Sequence, residues 1–257
     1  MGNGRTLSPE TGAIIIMLKY PQPGTVKTRL SNTLGAERAA ELYRFFVACE
    51  LRTLHNLPHP ILLSCHPQKP VSAYRDWLGE GYSYISQGEG DLGVKMRTSV
   101  QTAFDRGLSQ AVLIGSDLPQ LPATYLSCAL AQLQDHDAVI GPAHDGGYYL
   151  LGLKRNAFHA GLFQGIPWST SQVMAQTQEK LRSYALTTFV LPSLRDIDTL
   201  EDLKHLLTSQ GLAVDPAQAL EESIQTLMHS PWPIKQATAA APQKPDIWTN
   251  AYSTNSP

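Results

Sequence analysis

Short, uninterrupted apolar runs alternate along this chain with longer stretches whose apolar residues recur at helical spacing. Ala13 to Leu18 has no polar interruption, the pattern of a strand covered on both faces. Tyr20 to Lys27 carries Pro21, Pro23 and Gly24 and reads as a loop. Ala36 to Leu57 reads as a long helix, with Ala39, Leu42, Phe46 and Cys49 on one face. Ile61 to Ser64 and Tyr82 to Ser86 follow as strands, and Asp91 to Arg106 as a helix that Asp91 can cap. The run from Ala111 to Ile114 is a further buried strand, followed by a helix within Ala123 to Gln134. Strands at Ala138 to Ile140 and Tyr148 to Leu153 are split by a break at Gly141-Pro142. Ser169 to Arg182 reads as a helix capped by the hydroxyls of Ser169, Thr170 and Ser171. Leu186 to Leu191 is strand-like, Leu200 to Leu207 helical, and 215–228 fits one more helix. This alternation implies βαβ units and a largely parallel sheet.

The pattern divides the chain into a leader at 1–12, an α/β domain at 13–212, a C-terminal helix at 213–229 and a tail at 230–257. The tail is rich in Pro, Ala, Gln, Thr and Asn, has no periodicity and is expected to be disordered. Composition narrows the class. The 257 residues carry 42% hydrophobic and 16% charged positions, enough for a sizeable core. The formal net charge of -2 and the absence of a basic run give no reason to expect a nucleic-acid partner. No apolar run is long enough to span a membrane. Three widely spaced cysteines, Cys49, Cys65 and Cys128, form neither a disulfide framework nor a metal motif, so a cytoplasmic location is expected.

Five segments carry candidate chemistry. Lys19-Tyr-Pro-Gln-Pro-Gly-Thr-Val-Lys-Thr-Arg-Leu30 places Lys19, Lys27 and Arg29 just after the first strand. Fixed cations there suit a di- or triphosphate. Val26 occupies the place where a P-loop requires glycine, so that reading fails. Gln87 to Arg97 holds Gly88, Gly90 and Gly93 between a strand and a helix, where backbone amides can approach a base or phosphate. Ala111 to Leu121 ends a buried strand at Gly115-Ser116 and delivers Asp117 before Pro119 stops it. A carboxylate at a strand's carboxyl end, beside a phosphate ligand, is a natural Mg²⁺ or Mn²⁺ ligand. Gly141 to Gly152 contains a polar turn, His144-Asp145-Gly146-Gly147, that is either a plain Asp-Gly hairpin or a loop held against a ligand. Tyr148 and Tyr149 alternate faces, so one of them points to that ligand. A later stretch, Arg195 to Leu203, sets Asp196 and Asp198 on one side if extended, with Thr199 free to cap the next helix.

In this order the motifs are recognisable. The chain resembles the GT-A-type nucleotide-diphospho-sugar transferase-like family, the glycosyltransferase-like proteins associated with radical-SAM/selenium genes or arsenosugar synthesis. The resemblance rests on Lys19 to Leu30, Gly-Asp-Leu-Gly at Gly90 to Gly93, Gly-Ser-Asp-x-Pro at Gly115 to Pro119 and Asp-Gly-Gly-Tyr-Tyr-Leu at Asp145 to Leu150. Ile-Pro-Trp-Ser-Thr at Ile166 to Thr170 and Asp-Ile-Asp-Thr at Asp196 to Thr199 complete it. The first and last segments also look like those of 2-phospholactate and molybdenum-cofactor guanylyltransferases. The resemblance implies a GT-A, Rossmann-like three-layer α/β/α sandwich with a mostly parallel mixed sheet. The Lys19–Arg29 loop would face a diphosphate, and Gly90, Asp91 and Gly93 would line the base or ribose. Asp117 and Asp198 would be metal ligands. The chain departs from the family at Lys95, where a Glu-Arg-Met-like sequence is expected, and in offering one acid, not Asp-x-Asp, after its metal strand.

The expected function is transfer of a sugar from a nucleotide-diphospho-sugar to a small-molecule acceptor, assisted by a divalent metal. Asp145 is the candidate general base and His144 its runner-up. Gly146, Gly147, Tyr148, Trp168, Ser169 and Thr170 are the candidate substrate pocket. The alternative is nucleotidyl transfer from an NTP to a phosphorylated acceptor with release of pyrophosphate. The third reading is a catalytically silent nucleotide-binding protein.

Overall fold

A computed structural model describes residues 12–215 and 217–229. The expected leader and tail lie outside those residues, apart from Gly12 at the start of the first strand. The strands are β1 (Gly12–Leu18), β2 (Ile61–Cys65), β3 (Ser83–Ser86), β4 (Gln110–Ile114), β5 (Ala138–Pro142), β6 (Tyr148–Lys154) and β7 (Thr188–Val190). The helices are α1 (Thr28–Leu34), α2 (Ala36–His55), α3 (Val71–Leu78), α4 (Leu92–Asp105), α5 (Ala123–Gln132), α6 (Val173–Ser183), α7 (Leu200–Ser209) and α8 (Ala217–His229). The strands form one sheet in the order β3-β2-β1-β4-β6-β5-β7. Only β6 runs against its neighbours, pairing antiparallel with β4 and β5. The expected mostly parallel mixed sheet is present.

Alternation along the strands builds two cores. Ile14, Ile16 and Leu18 of β1 and Val112 and Ile114 of β4 pack on the face covered by α2, α3 and α5. Ala13 and Ile15 of β1 and Ala111 and Leu113 of β4 pack on the opposite face, under α4 and α6. Every one of these side chains is buried, which is why the runs contain no polar residue. A third cluster lies outside α2. There Leu30 of α1 and Phe46 of α2 meet Leu203 of α7, Ile224 of α8 and Ile197.

Several elements differ from the sequence reading. Helices α1 and α3 were not expected. Each is short and follows a proline-bearing loop, and each buries a single side chain, Leu30 or Tyr74. Helix α6 begins at Val173, not at Ser169. Ser169 has φ 64, a left-handed conformation that cannot lie within a right-handed helix, and the Thr170 hydroxyl bonds Pro167 O within the preceding turn. Strand β5 does not break at Gly141. It continues through Pro142 with a bulge. The caps of α4 and α7 are as expected. Asp91 accepts from Val94 N at 2.8 Å. Thr199 and Asp202 form a reciprocal capping box.

Sheet direction positions the site. Since β1, β2, β3, β4, β5 and β7 run the same way, their carboxyl ends share one edge, and β1 lies between β2 and β4, where the order of connection reverses. The segment after β7 is sewn to that edge. Ile197 N donates to Asp117 O at 3.1 Å, and the Ile197 side chain is buried in the third core. Replacing Ile197 by Ala should cost about 2–5 kcal/mol, as for other large-to-small core changes. Thr199→Ala, which removes only a cap, should cost about 1 kcal/mol. Urea denaturation of the two variants measures the difference.

Candidate functional site

At the carboxyl end of each strand of the first half-sheet stands a polar residue: Lys19 after β1, His66 after β2, Gln87 after β3, and Ser116-Asp117 one glycine beyond β4. Buried cross-links hold these ends in register. Lys19 N donates to the Tyr43 hydroxyl at 3.0 Å, which shares a 2.8 Å bond with Ser116. The Gln87 amide donates to Ser64 O at 2.7 Å and to Leu18 O at 3.3 Å. Together they rim a cavity of about 840 Å³, closed on the other side by the β5–β6 turn and the Trp168–Ser171 loop.

Most of the residues expected at a site line this cavity: Lys19, Lys27, Arg29, Asp117, Asp145, Gly147, Tyr148, Trp168, Ser169, Thr170 and Asp198. Five do not. Gly90 and Asp91 belong to the turn and cap that start α4. Gly93 serves packing, since a side chain there would strike Phe163 O and the Trp168 indole. Gly146, at φ 90, lets the Ser171 backbone pass directly above it. Met174 N bonds Gly146 O at 2.9 Å, which clamps the Trp168 loop onto the hairpin. His144 is exposed, and its backbone is held by Leu194 O. The Asp145-Gly146 turn is therefore both a hairpin and a wall of the cavity. Residues that the motifs did not assign also line it, among them His66, Gln87, Lys95 and Asp196. Lys95, the departure from the family pattern, lies 3.1 Å from the His66 ring nitrogen. Asp196 had one signal in the sequence, its alternation with Asp198 about a buried Ile197.

The two acids expected to bind metal, Asp117 and Asp198, meet at the Lys27 ammonium. Lys27 Nζ lies 2.5 Å from Asp117 Oδ1 and 3.1 Å from Asp198 Oδ1, and donates to Ile197 O at 2.6 Å. Its side chain is 2% exposed. Burial pulls its pKa down, but the charges of Asp117 and Asp198 prevail, and the net shift is upward. Lys27 stays charged. It also adopts a left-handed backbone, φ 47 and ψ 44, as it enters α1. A non-glycine residue holds that conformation only where its surroundings enforce it. Arg29 adds a looser contact to Asp198, 3.8 Å away. The carboxyl of Asp196 is pushed up to about 6 by burial and then by the charges of Asp145 and Asp198.

This arrangement does not fit a divalent ion. Among the described residues no group of three or more His, Cys, Asp or Glu is placed to hold one. The point between Asp117 and Asp198 is filled, and an ion ~3 Å from the ammonium would be repelled by on the order of 10 kcal/mol at an effective dielectric constant of about 20.

Comparison with known proteins follows the fold. Residues 51–170 match the DUF2064 family, described as an uncharacterized protein conserved in bacteria. A crystal structure from Desulfovibrio desulfuricans G20, provisionally designated a nucleotide-diphospho-sugar transferase, is 37% identical with a TM-score of 0.77, and the match covers 86% of this chain and 97% of that one. The chain belongs to this GT-A-like nucleotide-diphospho-sugar transferase family. Two remoter structures share the family's fold. The 4-diphosphocytidyl-2C-methyl-D-erythritol synthase of Anaerococcus prevotii DSM 20548 is 11% identical (TM-score 0.53, covering 77% of this chain and 94% of that one). Rv0371c of Mycobacterium tuberculosis H37Rv, in complex with manganese, is 14% identical (TM-score 0.50, covering 77% and 99%). No curated protein matches the chain.

Behind the acids of this family member lies another carboxyl. Glu50 of α2 is buried, with Oε1 accepting from Leu118 N at 2.8 Å and Oε2 having no partner among the described residues. Burial pushes its pKa well above the ordinary 4.5. The folded protein thus keeps a proton that the unfolded chain releases. Its contribution is most favourable below about pH 4.5 and declines as pH rises from there toward the raised folded value. Glu50→Gln, which keeps the Leu118 bond without a titrating proton, should flatten that decline. Melting temperature measured from pH 4 to pH 8 should fall less steeply in the variant than in the wild type.

Proposed function

We propose that this cavity transfers a group from a nucleotide diphosphate, with sugar transfer from a nucleotide-diphospho-sugar to a small-molecule acceptor as the reading it supports best. One observation carries the proposal: the cation loop after β1 and the acids after β4, after β5 and before α7 face one cavity at the carboxyl edge of the sheet. That edge is where open α/β sheets bind their ligands. Membership of the nucleotide-diphospho-sugar transferase family points the same way.

In this reading Lys19 and Arg29, both exposed, take the diphosphate. Lys27 offsets the carboxylates that would otherwise repel it. The leaving diphosphate gains negative charge as the sugar bond breaks, and fixed cations favour that state over the bound donor. Asp145, exposed at the hairpin turn, is the base for the acceptor hydroxyl. Trp168 and Tyr148 give the acceptor side an aromatic wall. Manganese is present in the Rv0371c structure, but a divalent ion enters this reading only if Lys27 leaves the acids.

The cytidylyl chemistry named for the Anaerococcus protein keeps nucleotidyl transfer as the second reading. The test is calorimetric titration with UDP-, GDP- and CDP-sugars and with the NTPs, each with EDTA or Mn²⁺, followed by a turnover assay. Saturable binding of a nucleotide sugar with release of the nucleoside diphosphate supports sugar transfer. Pyrophosphate release from an NTP overturns it in favour of nucleotidyl transfer. Arg29→Ala should weaken donor binding about tenfold, the loss of roughly one charge-assisted contact, without changing the melting temperature.

A further inference from the structure

The Lys27 ammonium has three N–H donors, and three oxygens receive them: Asp117 Oδ1, Asp198 Oδ1 and Ile197 O. Nothing is left over for a phosphate. The stem is buried and the ammonium stands 5.7 Å from the centre of the Phe46 ring. The left-handed backbone of Lys27 and the burial of Ile197 fix both ends of this contact. The acids, by contrast, are 45% and 37% exposed and line the cavity, where the second oxygen of Asp198 lies 3.8 Å from Arg29. A compact, buried ammonium bridging two partly exposed carboxylates occupies the position a hard cation would take between them.

We propose that Lys27 is the resident cation of the Asp117–Asp198 pair and excludes divalent ions from it in the nucleotide-free protein. The pair then acts as a lysine-bridged clamp joining the ends of β4 and the 196–198 segment, and a metal ion can enter only by displacing the ammonium. The side chain, not the acids, decides the metal dependence of the cavity. The inference goes beyond the transferase reading and does not need it, because its test contains no nucleotide.

Mn²⁺ binding is measured by the loss of the free-ion electron paramagnetic resonance signal, with the protein freed of metal by chelation. The proteins are the wild type, Lys27→Met, Asp117→Asn and the Lys27→Met/Asp117→Asn double variant. Methionine keeps an unbranched apolar stem against Phe46 and removes the charge. Lys27→Met should bind one Mn²⁺ about 10- to 100-fold more tightly than the wild type, the range by which changes around a metal site move affinity. The double variant should lose that site. Wild-type binding as tight as that of Lys27→Met, abolished by Asp117→Asn, overturns the proposal. So does a Lys27→Met protein that gains no affinity. Should circular dichroism show Lys27→Met unfolded, the wild type and Asp117→Asn decide the matter. An Asp117-dependent Mn²⁺ site in the wild type overturns the proposal, and equal, weak binding by the two proteins supports it.

Discussion

One buried ammonium joins three parts of this chain that are far apart in sequence. Lys27 opens α1, Asp117 follows β4, and Ile197 and Asp198 lie before α7, 170 and 171 residues from the lysine. Taking an ammonium out of water is costly, so the contact persists only where oxygens replace its hydration. All three do so here. The cavity depends on this contact. It holds the cation loop inward, brings the 196–198 segment against the end of β4, and orients two carboxylates that would otherwise repel each other.

The rest of the architecture supports that junction from below. Tyr43, Glu50 and Phe46 all project from α2, the long helix under the first half-sheet, and each meets a different part of the rim. Tyr43 ties Lys19 to Ser116, Glu50 holds the Leu118 amide, and Phe46 backs the Lys27 stem. The opposite wall depends on glycine. Gly93 admits Trp168 and Gly146 admits Ser171, so the aromatic side of the cavity comes from close backbone packing.

Much of this was legible in the sequence because it is local. The apolar runs of β1 and β4 announce buried strands, Pro119 ends one of them beside Asp117, and Thr199 and Asp202 carry their cap in their spacing. The cation loop and the Asp-Gly turn both reach the cavity as their positions after strands suggest. Other features are settled by distant partners and leave no such trace. Lys27 reads as a phosphate ligand until its acids are seen around it. Gly93 and Asp91 read as ligand contacts, whereas the sequence-distant Trp168 and the first turn of α4 account for them. Helices α1 and α3 bury too little to show periodicity. His66 stands at a strand end within no motif, Gln87 heads a glycine-rich segment that gave it no role of its own, and only the sheet order brings both to the rim.

The central claim is that the Lys27–Asp117 contact organises the site, and a double-mutant cycle in urea tests it most directly. Asp117→Asn keeps an acceptor oxygen but leaves the buried ammonium short of a compensating charge. In the wild-type background it should cost about 2 kcal/mol, below the 3–5 kcal/mol of a fully buried pair because Asp117 is half exposed. In the Lys27→Met background the same change should cost close to nothing, since no ammonium remains to be stranded. Equal costs in the two backgrounds would mean that the two side chains do not depend on each other, and would contradict the account.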